Sequence, residues 1–228
     1  MLSQRGHGGA ETKSRPGVMK LKLIYGNMPF WRAEVSRLAL YLGGIEFDDE
    51  RPSWSEVKEL KEVGYLPFGQ VPVLEVDGRV IAQTGAIARF CGKVAGLYPR
   101  YDDFAAAKID EVIDAATDIT NRISPSMRER NPETRAALRQ SLATQTLPQW
   151  LGYLEALLAG NGNTGYFVGN NLTIADLAIW RLLGWLRGGI LDGIPSTLVD
   201  PFPLLDAHYH EIDAHPGIRS WMTTHYGP

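Results

Sequence analysis

"FGQVPVLEVDGRVIAQTGAIARF", residues 68–90, decides how the rest of the chain is read. Two β-prone runs, VPVLEV and RVIA, flank Asp77-Gly78, the strongest short hairpin signal. The first run opens at Pro72, which has no N–H to give to a strand ladder and so marks an edge or a strand start. An X-Pro bond also admits the cis form, which would turn the Val71 backbone outward. The second run stops at Gln83-Thr84, where the spacing becomes helical. Free first-turn N–H groups and the positive end of the helix dipole favour a carboxylate there. The Thr84 hydroxyl and the Gln83 amide add donors. A peptide-like ligand lying beside Val71 as a short added strand, with a free α-carboxylate at Thr84, would satisfy both ends. Taken singly, the features have plainer meanings: Pro72 as an edge residue, Thr84 as an ordinary N-cap.

Upstream, LKLIY (21–25) reads as a strand, and residues 30–43 carry Val35, Leu38 and Leu42 at helical spacing before Gly43-Gly44. IEFDDE (45–50) alternates like a strand, SWSEVKELKEVG (53–64) is a polar helix ended by Gly64, and a helix runs from Thr84 to Ala95. The order is β-α-β-α-β-β-α. Beyond residue 102 strand signals cease, and helical stretches follow near 103–128, 133–159, 173–188, 203–214 and 216–225. Gly96-Leu97-Tyr98-Pro99 interrupts both regimes and serves as a linker. The pattern predicts an α+β chain: a small mixed domain over 19–96, then an all-α domain over 103–228.

A net charge of -3 gives no footprint for nucleic acid or an anionic membrane, and no apolar run is long enough to span a bilayer. A single cysteine, Cys91, excludes an internal disulfide and a cysteine-built metal site, and fits a reducing, cytoplasmic compartment. It reads as a buried core thiol. Residues 1–18 are Gly-rich and polar, as in a disordered arm, without the apolar core of a secretory signal. Arg5, Lys13 and Arg15 leave a transit peptide open, and Met19 is an alternative start. His208, His210 and His215 read as solvated surface, and Glu211 with His215 supplies only two ligands at i,i+4 spacing, so no metal site is expected. Trp150, Leu154, Leu157, Leu158, Trp180 and Trp185 read as core. Thr173-x-x-Asp176 before an apolar run is a capping-box start, and losing Asp176 is expected to cost ~1 kcal/mol.

With RAEVSRLAL (32–40), PFGQVPVLEVDG (67–78), QTGAIARF (83–90), GLYP (96–99) and LTIADLAIW (172–180), the chain resembles the cytosolic glutathione transferases, in particular the sigma-like, tyrosine-type group, from Lys20 to Tyr226. The resemblance implies a thioredoxin-like N-terminal domain, a helical C-terminal domain, a homodimer, and glutathione as co-substrate with no other cofactor. It implies that Val71, before a cis Pro72, pairs with the glutathione backbone, with Gln70 as a contact and Gln83-Thr84 on the γ-glutamyl end. Trp54 and Lys58 match the glycine end, with Lys61 competing for the lysine role. Asp114 falls where an acidic residue reaches the partner subunit's glutathione.

Tyr25 matches the tyrosine whose hydroxyl donates to the glutathione sulfur. A cysteinyl thiol titrates near ~8.5, and a donor to the thiolate lowers that value. The thiolate is the attacking form. YGNMPFWRAE is one residue longer than the usual run between tyrosine and arginine, and Gly26 stands where an aromatic is common. Asn27 is therefore a competing donor, at the place a serine holds in related groups. Arg32 is either a helix-start surface residue or an electrostatic support for the site. The implied activity is conjugation of glutathione to small apolar electrophiles, or peroxide reduction or isomerisation by the same thiolate. The electrophile pocket would be lined by the Tyr25–Phe30 loop and the helix near 115–128, with Ile123, Met127 and Trp221 as candidates. The longer loop leaves a second reading, a non-catalytic glutathione or hydrophobic-ligand carrier on the same scaffold.

Overall fold

In the computed structural model, which describes residues 19–162 and 164–227, strand β1 (Leu21–Ile24) lies within a four-stranded sheet of order β2-β1-β3-β4. The arm expected over residues 1–18 lies outside the described residues. β1 pairs in parallel with β2 (Asp48–Glu50) and antiparallel with β3 (Val73–Val76), and β4 (Arg79–Ala82) completes the hairpin. Asp77 and Gly78 take φ of 48° and 80°, the positive values a two-residue I′ turn demands. The Asp77 carboxylate accepts from the Lys20 N–H at 2.9 Å, tying the hairpin to the start of β1.

Helix α1 (Trp31–Leu42) connects the parallel strands β1 and β2. It packs against both α3 (Thr84–Ala95) and α7 (Ile174–Arg187), so it is buried on almost every side. Gly43 is required at its end: a Cβ there would stand 2.6 Å from the Ala95 Cβ. Cys91 is fully buried on α3, as expected, and burial pushes its thiol up to about 12. Helix α2 (Trp54–Glu62) buries no side chain completely and is started by a capping box, Glu56 accepting from the Ser53 N–H at 2.7 Å.

The second half comprises α4 (Asp103–Arg128), α5 (Pro132–Ser141), α6 (Leu147–Gly160), α7, α8 (Pro203–Ala214) and α9 (Pro216–Tyr226). The single helix expected over 133–159 is interrupted by a π-helical turn, Leu142–Thr146, just before Pro148. A proline there has no N–H for the regular ladder, which favours such a local widening. Trp180 and Trp185 are core residues as expected, but Trp150 is only partly buried, with the Arg122 guanidinium 4.2 Å from its ring.

The start of α7 is more heavily committed than its sequence suggests. The fully buried Asp176 carboxylate accepts from the Thr173 N–H at 2.7 Å and its hydroxyl at 2.8 Å, and from the Phe167 N–H at 2.9 Å. His208 Nε2 lies 3.2 Å from the same carboxylate. His208 is thus a buried partner of a buried acid, not solvated surface; only His210 and His215 of that group are exposed. The ~1 kcal/mol expected for a cap alone is therefore an underestimate. Asp176→Ala orphans buried donors on Phe167, Thr173 and His208, and we expect a loss of about 3 kcal/mol in urea unfolding. A change below 1 kcal/mol would show that these bonds are replaced by water.

Candidate active site

The connection from β1 to α1, residues 25–30, is too short for secondary structure of its own. It makes two tight local bonds, Met28 N–H to Gly26 O and Phe30 N–H to Met28 O, both 2.9 Å. Arginines also reach the carbonyls of Tyr25, Gly26, Met28 and Pro29. Arg37, fully buried on α1, donates from Nη2 to Tyr25 O at 3.3 Å and Gly26 O at 3.4 Å, and from Nη1 to Met28 O at 3.5 Å. Arg51 donates to the Asn27 side-chain carbonyl at 2.8 Å, and Arg181 on α7 donates to Pro29 O at 2.7 Å.

Arg37 tolerates burial because it faces two carboxylates, Glu34 at 3.2 Å and Asp49 at 2.8 Å. Burial works against its charge, but Glu34 and Asp49 outweigh that effect, and its pKa stands above the ordinary value. Glu34 is as buried as Arg37 and also accepts from Trp221 Nε1 at 2.5 Å and from the Tyr226 hydroxyl at 2.6 Å.

Tyr25 is 5% exposed, with its hydroxyl 3.9 Å from Met28 Sδ. Burial raises its phenol pKa, and the charges of Arg32 and Arg37 oppose this without cancelling it. At neutral pH the group is therefore an uncharged O–H donor. Arg32 is partly buried beside it; burial lowers its pKa, and Arg128 lowers it further. Asn27 is exposed, with its carbonyl oxygen occupied by Arg51.

Across the sheet the Val71–Pro72 bond is cis. Val71 lies just outside β3, and among the described residues its N–H and C=O make no backbone hydrogen bond. Gln83, at φ 75°, is the N-cap of α3 and makes no side-chain capping bond, so Thr84 is the first helical residue and not the N-cap. The structure gathers Arg32, Gln70, Val71, Pro72, Gln83 and Thr84 around one cleft, together with Phe68 and Ala82.

Tyr25 is not among the residues lining this cleft, and three further expected residues also stand outside it. Trp54, 61% exposed, lies over Gly26, where a Cβ would meet its indole at 3.7 Å. Lys58 points to Glu62 at 3.6 Å, whereas the Lys61 stem lies along Gly69, next to Gln70. Asp114 is exposed on α4, 3.8 Å from Arg89. Two of the candidates for an electrophile pocket are corrected. Ile123 is fully buried in the core, and Trp221 is buried with its N–H on Glu34, so Met127, 53% exposed, is the one that remains open. Sequence reasoning did not assign Glu34, Arg37, Arg51, Arg181 or Tyr226. For the first two a signal existed: opposite charges at i,i+3 inside a largely apolar helix.

The glutathione S-transferase N-terminal domain profile matches residues 19–92, and the glutathione S-transferase C-terminal domain profile matches residues 117–225. A glutathione S-transferase of Plasmodium falciparum is 33% identical over 204 residues, covering 84% of this chain and 90% of that protein. Prostaglandin synthase D of Nilaparvata lugens superimposes with a TM-score of 0.80 at 29% identity, covering 92% of this chain and all of the other. A monomeric glutathione S-transferase of Necator americanus, Na-GST-3, gives a TM-score of 0.74 at 30% identity, over 90% of this chain and 97% of its own.

Replacing Arg37 leaves the fully buried Glu34 carboxylate without its counter-ion, while the partly exposed Asp49 keeps Arg51 at 2.7 Å. Arg37→Met is expected to lose about 3–5 kcal/mol of stability in urea unfolding. A loss under 1 kcal/mol would mean that water enters and solvates Glu34.

Proposed function

The chain belongs to the glutathione S-transferase family and is a glutathione transferase, and we propose that it binds glutathione along Val71 and activates the sulfur through Tyr25. The observation that carries this reading is the convergence of Arg32, Gln70, Val71, Pro72, Gln83 and Thr84 on one cleft. An unpaired strand-edge backbone at Val71 suits the peptide bonds of glutathione. The open N-terminus of α3, with the Gln83 amide and Thr84 hydroxyl, suits the α-carboxylate of the γ-glutamyl residue. At the glycine end we favour Trp54 with Lys61 over Lys58, since Lys61 lies along Gly69 beside the cleft.

Tyr25 is favoured over Asn27 as the thiolate donor because it is buried, neutral and rigidly placed. A donor held in a dry site stabilises the thiolate without reorganising, so the thiol of bound glutathione ionises more readily. The thiolate then attacks the electrophilic carbon, an S–C bond forms and the leaving group departs. Arg32 adds positive potential. Phe30, Met28 and the exposed Met127 give an apolar approach for the electrophile, with Phe30 fixed edge-on to Trp185 at 5.0 Å. The likeness to a prostaglandin synthase supports isomerisation as a second use of the same thiolate.

A homodimer is our reading of the exposed apolar surface. Phe68 is 64% exposed, and a groove between α4 and α6, lined by Trp150, Tyr153 and Leu157 with Asp114 and Asp118 on its rim, offers a place for such a side chain. Asp114 would then face the neighbouring subunit. We place the protein in the cytoplasm, a compartment that suits its single cysteine.

Thiolate absorbance of bound glutathione, followed against pH, tests the catalytic reading. The wild type should hold a thiol pKa below the free value, and Tyr25→Phe should bring it back, with kcat/KM toward a chloronitrobenzene falling roughly 10- to 100-fold at pH 6.5. Tight binding with an undepressed thiol would favour the carrier. For the assembly, sedimentation should give twice the chain mass, and Phe68→Asp should halve it. A wild type that sediments as a single chain, as the name of the Necator neighbour indicates for that protein, would remove the dimer.

A further inference from the structure

We propose that Tyr226, on the last turn of α9, is a positioning residue for Tyr25, acting through the buried Glu34–Arg37 pair. The proposal rests on the reading of Tyr25 as the thiolate donor. Tyr226 is partly buried on the last turn of a helix, where ends commonly fray. Its contacts are not those of a frayed helix end. Its hydroxyl donates to Glu34 Oε2 at 2.6 Å and accepts from Arg37 Nη1 at 3.1 Å. Arg37 Nη1 also donates to Glu34 Oε2 at 3.2 Å, so the phenol oxygen, the carboxylate and the guanidinium close a ring.

The other side of that guanidinium is what matters for the reaction. Nη2 holds the carbonyls of Tyr25 and Gly26, and Nη1 reaches that of Met28. A guanidinium is a rigid planar fork, so its donors cannot be re-aimed one at a time. Any rotation that follows a change at Glu34 or Tyr226 is transmitted to the loop carbonyls together. The Tyr226 ring meets the second cation as well: the Arg51 guanidinium lies 5.0 Å from its centre, and Arg51 in turn holds Asn27 and Asp49. One aromatic residue thus touches both guanidiniums that fix residues 25–28.

The chemistry of the hydroxyl explains why a phenylalanine would not substitute. Glu34 Oε2 is buried, and its donors are Tyr226 and Arg37. Without the Tyr226 hydroxyl, the oxygen is satisfied only by a closer approach of Arg37 Nη1, and that movement draws the guanidinium away from the loop. The Tyr25 backbone is then less firmly held, and a thiolate donor displaced by a fraction of an ångström loses much of its effect.

The test uses the full chain carrying Tyr226→Phe, with saturating glutathione as the probe. The bound-thiol pKa should rise by about half a unit or more, and kcat toward a chloronitrobenzene at pH 6.5 should fall roughly 3- to 10-fold while KM for glutathione stays within about twofold. Thr224→Ala, on an exposed position of the same turn, should leave both unchanged. Trp221→Phe removes the other α9 donor to Glu34 and should shift the thiol in the same direction, which keeps the test alive if Tyr226→Phe does not fold. A folded Tyr226→Phe with wild-type thiol pKa and kcat overturns the proposal. Tyr25→Phe run beside it separates the causes. If that variant releases the thiol pKa and Tyr226→Phe does not, the donor assignment stands and the coupling falls. If Tyr25→Phe itself leaves the pKa depressed, both fall together.

Discussion

A guanidinium withdrawn from water at Arg37 is the constraint on which the rest depends. Taking such a charge out of water costs several kcal/mol unless it is paired and all its donors are used. Glu34 and Asp49 neutralise it from two sides, but two carboxylates do not exhaust the donors of a planar fork. The remainder is shared between the Tyr226 hydroxyl and the backbone carbonyls of Tyr25, Gly26 and Met28. The shape of the loop is therefore a by-product of neutralising a buried cation. Arg51 and Arg181 extend the scheme to Asn27 and Pro29, so the loop is held along its length.

Helix α1 makes this local arrangement a property of the whole molecule. It packs on α3 within the thioredoxin-like half and on α7 in the helical half. Trp31 Nε1 donates to the Thr120 hydroxyl on α4 at 2.8 Å, and Arg181 reaches from α7 to Pro29. The loop is thus held from both halves.

Much of the architecture was legible in the sequence because short-range rules determine it. Asp77-Gly78 fixes the hairpin, Gly43 ends α1, and α3 and α4 begin and end where periodicity places them. The cleft residues were legible too, since Val71-Pro72 and Gln83-Thr84 sit at ends of elements where backbone groups are left open. Thr84 begins the helix where the spacing placed it, while the cap falls on Gln83, whose positive φ is invisible to composition. What escaped were long-range polar contacts. Tyr226 meets Arg37 across 189 residues, and His208 reaches Asp176 from another helix. A histidine or a terminal tyrosine reads as surface until the partner that withdraws it from water is seen.

The isolation of Cys91 has a consequence for the working life of the protein. A catalyst that brings electrophiles to a thiolate exposes any nucleophile of its own to the same reagents. Here the only cysteine in the chain lies inside α3, with burial pushing its thiol up to about 12. At neutral pH that sulfur stays a thiol, which is not the attacking form. The sulfur that is spent belongs to the exchangeable tripeptide, and each turnover replaces it. The protein is protected from self-alkylation by keeping its chemistry on a ligand it can discard.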